Sequence, residues 1–245
     1  MSVLATPTRT MVLLAGLVVL AWAVTVERMQ GMDAGPGTDL GGLGWYLGIW
    51  VTMTAAMMLP SEAPAALLVA RLSRGLPTWL FVAGYLVVWA VFGLAAYGLF
   101  RLVTSFDTDW LAWDEGGPYG AGGVIVAAGI YELTPLKHLC LRRCRSPHPE
   151  GPAFRSGVTN GLNCVGCSGG MMAVLFALGV MSLVWMVVVA AVIFAEKVLP
   201  QGIRLSRPVA VALLALGIWV ALSPSSVPGL TEPGMSPSME MEMKS

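Results

Sequence analysis

The chain has 245 residues, of which 56% are hydrophobic and only 11% are charged, and its mean hydropathy is +0.75. Soluble globular domains carry about 25% charged residues, so this composition excludes an ordinary water-soluble domain. The 14 basic and 14 acidic residues give a net charge of zero, but they are distributed unequally between the loops.

The hydrophobic residues are grouped in blocks close to the roughly 20 residues that cross a bilayer as a helix. The blocks lack the period-2 alternation of a membrane β-barrel, so they predict helices. In chain order, the predicted segments are about Met11–Val26, Leu43–Leu72, Pro77–Phe100, Tyr119–Leu141, Gly157–Val180, Ser182–Leu199 and Pro208–Leu222. We therefore predict an all-α fold, a polytopic transmembrane bundle of about seven helices, as a single domain over residues 1–222.

The first segment has a second interpretation. Arg9, the apolar core and the small-x-small sequence Ala21-Trp22-Ala23 also fit a cleavable signal peptide. The apolar run continues through Val24 to Val26 without a polar region, which favours a membrane helix. Either interpretation gives the same orientation.

Two segments contain internal helix breakers. The second segment holds Pro60 and Pro64 on either side of Glu62, and the fourth holds Pro135 close to Glu132. Proline removes a backbone donor and kinks or breaks a helix. Broken helices at membrane depth are tolerated where they line a cavity or are buried in protein, so we expect both breaks to lie near a site.

Basic and non-basic loops alternate along the chain. The N-terminus and the second, fourth and sixth loops carry Arg9, Arg71, Arg74, Lys137, Arg142, Arg143, Arg145, Arg155, Arg204 and Arg207. Basic loops stay on the cytoplasmic side, so this pattern predicts an N-terminus inside and a C-terminus outside. The Glu196-Lys197 pair near the end of the sixth segment is interpreted as an interface anchor.

The four cysteines form two pairs near the predicted inner side. Cys164, Cys167 and Met171 stack at i, i+3 and i+7 on one helix face, and Cys140 and Cys144 lie about one turn apart upstream. Thiolate and thioether ligands select soft metals such as copper or zinc. A redox dithiol and plain packing by small apolar residues are the alternatives.

Two carboxylates lie inside predicted membrane segments, where each is costly unless paired or neutralised. Glu62 and Glu132 fall at similar depth, close to the level of Cys164, and Met58 lies one turn before Glu62. A polar layer that joins both acids to the cysteines and to Met171 is therefore expected. The alternative is that each acid is protonated, or paired with Lys137 or Lys197, and only ties helices together.

The C-terminal tail, residues 223–245, is rich in Pro, Ser, Glu and Met and is predicted to be disordered outside the membrane. It ends in alternating methionines, Met239, Met241 and Met243. Thioethers bind Cu(I) and persist in an oxidising compartment, so we expect metal capture there.

There is no phosphate loop, zincin motif or nucleophile paired with a histidine. We therefore predict no catalytic residues and no nucleic-acid partner.

Three strings together resemble a known family: Met57-Met58-Leu59-Pro60, the run Tyr131–Lys137 followed by Cys140 and Cys144, and the run Gly161–Cys167. The chain resembles the bacterial predicted metal-binding integral membrane proteins over about Trp45 to Pro200. The resemblance implies metal binding and a multi-pass location in the bacterial inner membrane. Family members are expected to carry another cysteine directly after the C-x-G-C string, where this chain has Ser168.

Together these observations favour a membrane protein that moves, inserts or senses a soft metal, most simply copper, with zinc as another possibility. Its partners would be the lipid bilayer and a larger membrane complex or a metal-delivery protein. Two alternatives stay open: a membrane thiol oxidoreductase using Cys164 and Cys167, and a non-catalytic subunit or assembly factor. The sequence favours a protein that is not an enzyme.

Overall fold

The structure is a computed structural model, and it describes residues 5–29, 41–72, 76–105, 117–146, 151–179 and 182–223. Within these ranges the chain is all-helical. The helices are α1 (Ala5–Met29), α2 (Leu43–Leu72), α3 (Leu76–Thr104), α4 (Gly117–Glu132), α5 (Pro135–Arg145), α6 (Ala153–Leu178), α7 (Leu183–Val198) and α8 (Gly202–Leu222).

Each predicted apolar segment corresponds to one helix, except the fourth, which is divided into α4 and α5. The two halves meet at an angle of 67°. Pro135 is the first residue of α5, and a residue that precedes proline avoids the helical conformation, so the helix ends before it. Thr134 caps α5 by accepting a hydrogen bond from the Lys137 amide.

The second segment stays a single helix through Pro60 and Pro64, where a kink or a break was expected. It is the most enclosed of the long helices, with 72% of its most apolar window buried. Its packing partners are α1 on one side and α3 and α7 on the others. These contacts hold α2 in helical form where proline has removed backbone hydrogen bonds.

Five helices, α1, α2, α3, α6 and α8, are long and apolar enough to cross a membrane, and α4 with α5 makes a sixth if the bent pair is one span. Large apolar side chains are exposed along α1, α3 and α8, including Val19, Val91 and Val211. Such surfaces are unfavourable in water and fit contact with lipid. A multi-pass membrane protein has these properties.

Glycines bring two pairs of helices into backbone contact. Gly84 of α3 and Gly157 of α6 lie where an added Cβ would collide with the carbonyls of Phe154 and Phe81, respectively. A Cβ on Gly122 of α4 would lie 2.6 Å from the Gly217 carbonyl oxygen of α8. Small residues let helices approach closely in membranes, which holds α6 tightly against α3.

We expect Gly157→Ala to destabilise the protein by about 1–3 kcal/mol, because the new methyl group forces α3 and α6 apart. Gly98→Ala on α3 is the matched control, since nothing lies within 4 Å of its Cβ position. Thermal unfolding in detergent, followed by circular dichroism, measures both variants. An unchanged midpoint for Gly157→Ala would contradict the close contact.

Candidate metal centre

Three cysteines from two helices converge in the interior. The sulfurs of Cys144 on α5 and of Cys164 and Cys167 on α6 all lie within 4.8 Å of one another. The Cys144 and Cys167 sulfurs are 3.7 Å apart, and the Cys167 thiol also donates to the Cys164 carbonyl at 3.3 Å. All three side chains are buried, and all are free thiols.

The bend between α4 and α5 explains how Cys144 reaches the other two thiols. It redirects α5 so that this short helix packs against α6 and α7. The buried Lys137, in the first turn of α5, pairs with Glu132 at the end of α4 and with Glu196 of α7 at 2.6 Å. This bridge links the two sides of the bend and ties α5 to α7.

Lys197 of α7 places a buried cation beside the thiols. Its Nζ atom lies 2.8 Å from the Cys164 sulfur and 2.9 Å from Oε1 of Glu62, and it reaches the Ser61 hydroxyl at 3.4 Å. The other carboxylate oxygen of Glu62 accepts a hydrogen bond from Asn160. A buried charge is tolerated only when it is paired and hydrogen-bonded, and this group satisfies both conditions.

Tyr85 of α3 completes the polar shell, with its hydroxyl 3.0 Å from the Cys164 sulfur. Cys164 therefore has the Lys197 ammonium and the Tyr85 hydroxyl as close polar neighbours. A nearby cation stabilises a thiolate, which is the form of cysteine that binds metals. Of the three sulfurs, Cys164 therefore has the surroundings that would stabilise a thiolate.

Glu132 belongs to a different polar cluster from Glu62. Its partner is Lys137, which also holds Glu196, and Glu196 accepts a further hydrogen bond from Ser206 of α8 at 3.1 Å. Arg145 donates to the Glu196 backbone carbonyl at 2.6 Å. A single polar layer containing both acids was expected. The structure has two separate clusters instead, because Lys137 pairs with Glu132 and Lys197 pairs with Glu62.

The remaining candidate residues fall in several places. Cys140 is half-buried against Gly166, where a Cβ on that glycine would lie 2.6 Å from its sulfur, and it is outside the trio. Met58 and Met171 are buried in the core. Met239, Met241 and Met243 lie outside the described residues.

Sequence reasoning gave the pairing of Lys197 with an acid only as the alternative, and it missed the roles of Glu196, Asn160 and Tyr85. Lys197 and Glu196 were interpreted as interface anchors, yet they are only 7% and 2% exposed. The available signal was the free-energy cost of burying a charged side chain. A charge at the end of an apolar segment needs a partner if it faces protein. Tyr85 and Asn160 carried no signal, since neither residue has a charge whose burial would require a partner.

Three buried thiols that converge among apolar helices, beside a fixed cation, form a group that could hold a metal ion. The chain belongs to the PpoB2 copper chaperone family, whose profile matches residues 47–220. No curated protein and no solved structure matches the chain. The matched range includes the three clustered cysteines, Glu62 and Lys197. The metal-binding character implied by the motifs is confirmed at the level of the family.

We expect Lys197→Met to destabilise the protein by about 3–5 kcal/mol, because it leaves Glu62 as an uncompensated buried charge. The double variant Glu62→Gln, Lys197→Met should be less destabilised than the two single changes combined, with a coupling of about 0.5–3 kcal/mol. Denaturant unfolding in detergent gives all three values.

Arg143→Met is the matched control, since Arg143 is exposed on α5 and its loss should stay within about 0.5 kcal/mol of the parent. Additive effects of the Glu62 and Lys197 changes would contradict the buried pair.

Proposed function

We propose that this protein is a multi-pass membrane copper chaperone that holds Cu(I) between Cys144, Cys164 and Cys167 and passes it to a partner. Copper is its cargo rather than a resident cofactor. The observation that carries the proposal is the convergence of three free, buried thiols in a chain of a copper chaperone family.

The donor set favours copper over zinc. Thiolates bind both ions, but zinc sites are almost always tetrahedral and structural ones use four protein ligands. The trio offers three sulfurs, and the nearest carboxylate, Glu62, is already engaged by Lys197 and Asn160. Ser168 stands where a third cysteine of α6 was expected, and Cys144 of α5 supplies the third sulfur instead.

Charge balance supports binding of a cation at the trio. Lys197 offsets the charge of Glu62 and lies against Cys164, so the surroundings of the thiols carry little net charge before the thiols ionise. Each thiolate formed on metal binding adds a negative charge to a buried site, and the bound cation compensates for part of it. The site therefore becomes most stable when a soft cation is held.

The site lies towards the end of the bundle that carries the exposed basic residues of α5 and α6, Arg142, Arg143 and Arg155. By the positive-inside rule this is the cytoplasmic end in the bacterial inner membrane. Reducing conditions there keep thiols free for metal. Exposed Arg142 and Arg143, next to Cys144, form a charged surface for a metal-delivery protein or a larger membrane complex.

On the opposite side, the methionines Met239, Met241 and Met243 are proposed to capture copper before it reaches the thiols. Thioethers suit this task because they bind Cu(I) and are not lost to disulfide formation. This role is independent of the thiol trio and is tested by truncating the chain after Ser223.

A thiol oxidoreductase is the competing function, favoured by the 3.7 Å separation of the Cys144 and Cys167 sulfurs. It requires a reversible disulfide, either between Cys144 and Cys167 or within the C-x-x-C pair of Cys164 and Cys167. Alkylation trapping of the purified protein, with and without Cu(I), separates the two functions.

We expect the purified protein, loaded with Cu(I) and washed, to retain about one copper per chain. Cys144→Ser and the pair Cys164→Ser, Cys167→Ser should each lose most of it, because each removes sulfur ligands from the trio. Mass spectrometry of the metal content measures the loss.

Cys140→Ser is the matched control. It removes a thiol four residues from Cys144 that lies outside the cluster, so copper should be retained. Equal copper in all four proteins, or none in the parent, would contradict the proposed site.

A further inference from the structure

Most buried methionines of the described residues lie on three helices, and Met29 of α1 is a further one. Within α2, α6 and α7 there are six, and each is at most 2% exposed; they are Met53, Met57, Met58, Met171, Met172 and Met186. Helices α3, α4, α5 and α8 contain no methionine. The three helices that carry them are also those that carry Glu62, Cys164 and Lys197. The buried thioethers therefore lie on the same helices as the proposed thiol site and its ion pair.

The relative position of α2 and α6 is fixed at two levels. At one level Lys197 joins Glu62 of α2 to Cys164 of α6. At the other, the rings of Trp50 and Phe176 pack with their centroids 5.4 Å apart. Twelve residues separate the two levels on each helix, so the helices run antiparallel in register over about 18 Å.

The methionines of α2 and α6 all lie between these two levels. At 1.5 Å per residue, Met58 and Met57 are about 6 and 8 Å from the thiol level along α2. Met171 and Met172 follow at about 10 and 12 Å along α6, and Met53 of α2 at about 14 Å. Successive thioethers are therefore separated by only a few ångströms along the bundle.

The third helix extends the series. Met186 of α7 is eleven residues before Lys197, or about 16 Å from the thiol level. It lies on the same buried stripe as Ile193 and Lys197. The series thus reaches from the thiols almost to the Trp50–Phe176 contact.

One further buried group in this region has no partner among the described residues. The hydroxyl of Thr54 is fully buried and makes no hydrogen bond. Thr54, Met58 and Glu62 are spaced at i, i+4 and i+8, which places them on one face of α2. An unsatisfied buried hydroxyl costs about 1–3 kcal/mol and calls for an explanation. This free polar atom lies one turn from Met58 on the face that leads to Glu62.

We propose that these six methionines form a second soft-metal site, a column of thioethers that takes Cu(I) in steps between the thiol trio and the opposite end of the bundle. The ligand class is a monovalent soft cation, because neutral thioethers add no negative charge to balance a divalent ion in an apolar interior. The inference rests on the proposed copper function and adds a route for Cu(I) between the thiol trio and the opposite end of the bundle.

The test uses the full-length protein in lipid nanodiscs, with methionine methyl groups labelled with ¹³C and silver(I) as the probe. The first equivalent of silver should protect the three clustered thiols from alkylation. Further silver should shift the methyl signals of the six column methionines. The signal of Met29, a buried methionine of α1 outside the column, should stay in place.

The variant Met58→Leu, Met171→Leu keeps the volume and apolarity of the core, so it should fold and still protect its thiols with one equivalent of silver. It should lose the further shifts of the neighbouring methionines. Unmoved methyl signals in the parent, with the thiols protected, would overturn the column and leave the thiol site intact. Unprotected thiols together with shifted methionines would overturn the thiol site and leave the column.

Discussion

The Lys197 ammonium is the group on which the architecture of the site depends. It is buried, and it joins α7 to α2 through Glu62 and to α6 through Cys164. Removing a charge from water costs several kcal/mol, so Lys197 is stable only where both partners meet it. Its position therefore fixes the relative heights of three helices and places the thiols at the level of Glu62.

A second buried cation performs the same task for α5, the other helix that carries a clustered thiol. Lys137 connects α5 to the end of α4 and to Glu196 of α7, and Glu196 is the neighbour of Lys197 in the chain. The two lysine clusters are thus coupled through one turn of α7. A shift of α7 would disturb both the cation beside Cys164 and the bridge that holds Cys144 close to it.

The number and order of the apolar segments could be predicted from hydrophobic blocks alone, because lipid and protein interiors both select continuous apolar helices. Helix ends were less predictable: α8 begins at Gly202 rather than at Pro208, since backbone hydrogen bonding continues through charged residues that hydropathy excludes. The division of the fourth segment was signalled by Pro135. The direction taken by α5 was not, because it depends on Lys137 meeting a residue of α7.

The same contrast holds for the site. The C-x-x-C string and the costly carboxylates identified Cys164, Cys167 and Glu62 as neighbours. Spacing cannot reveal that Glu62 is bound by Lys197, which lies 135 residues further along the chain. Sequence reasoning treated the acids as a pair because they have the same charge and depth. In the fold Glu62 pairs with Lys197 and Glu132 pairs with Lys137. These pairings depend on how the helices pack.

The placement of Cys144 on α5 has a consequence for release of the ion. Two of the three sulfurs lie on α6, which is locked against α3 by glycine contacts, whereas the third lies on an eleven-residue helix beyond a 67° bend. In the proposed copper site, a displacement of α5 would remove the Cys144 sulfur and leave the two sulfurs on α6, but it would first have to break the Lys137–Glu196 bridge to α7. Release of the proposed Cu(I) ion is therefore coupled to this buried ion pair, while the glycine contacts hold α6 against α3.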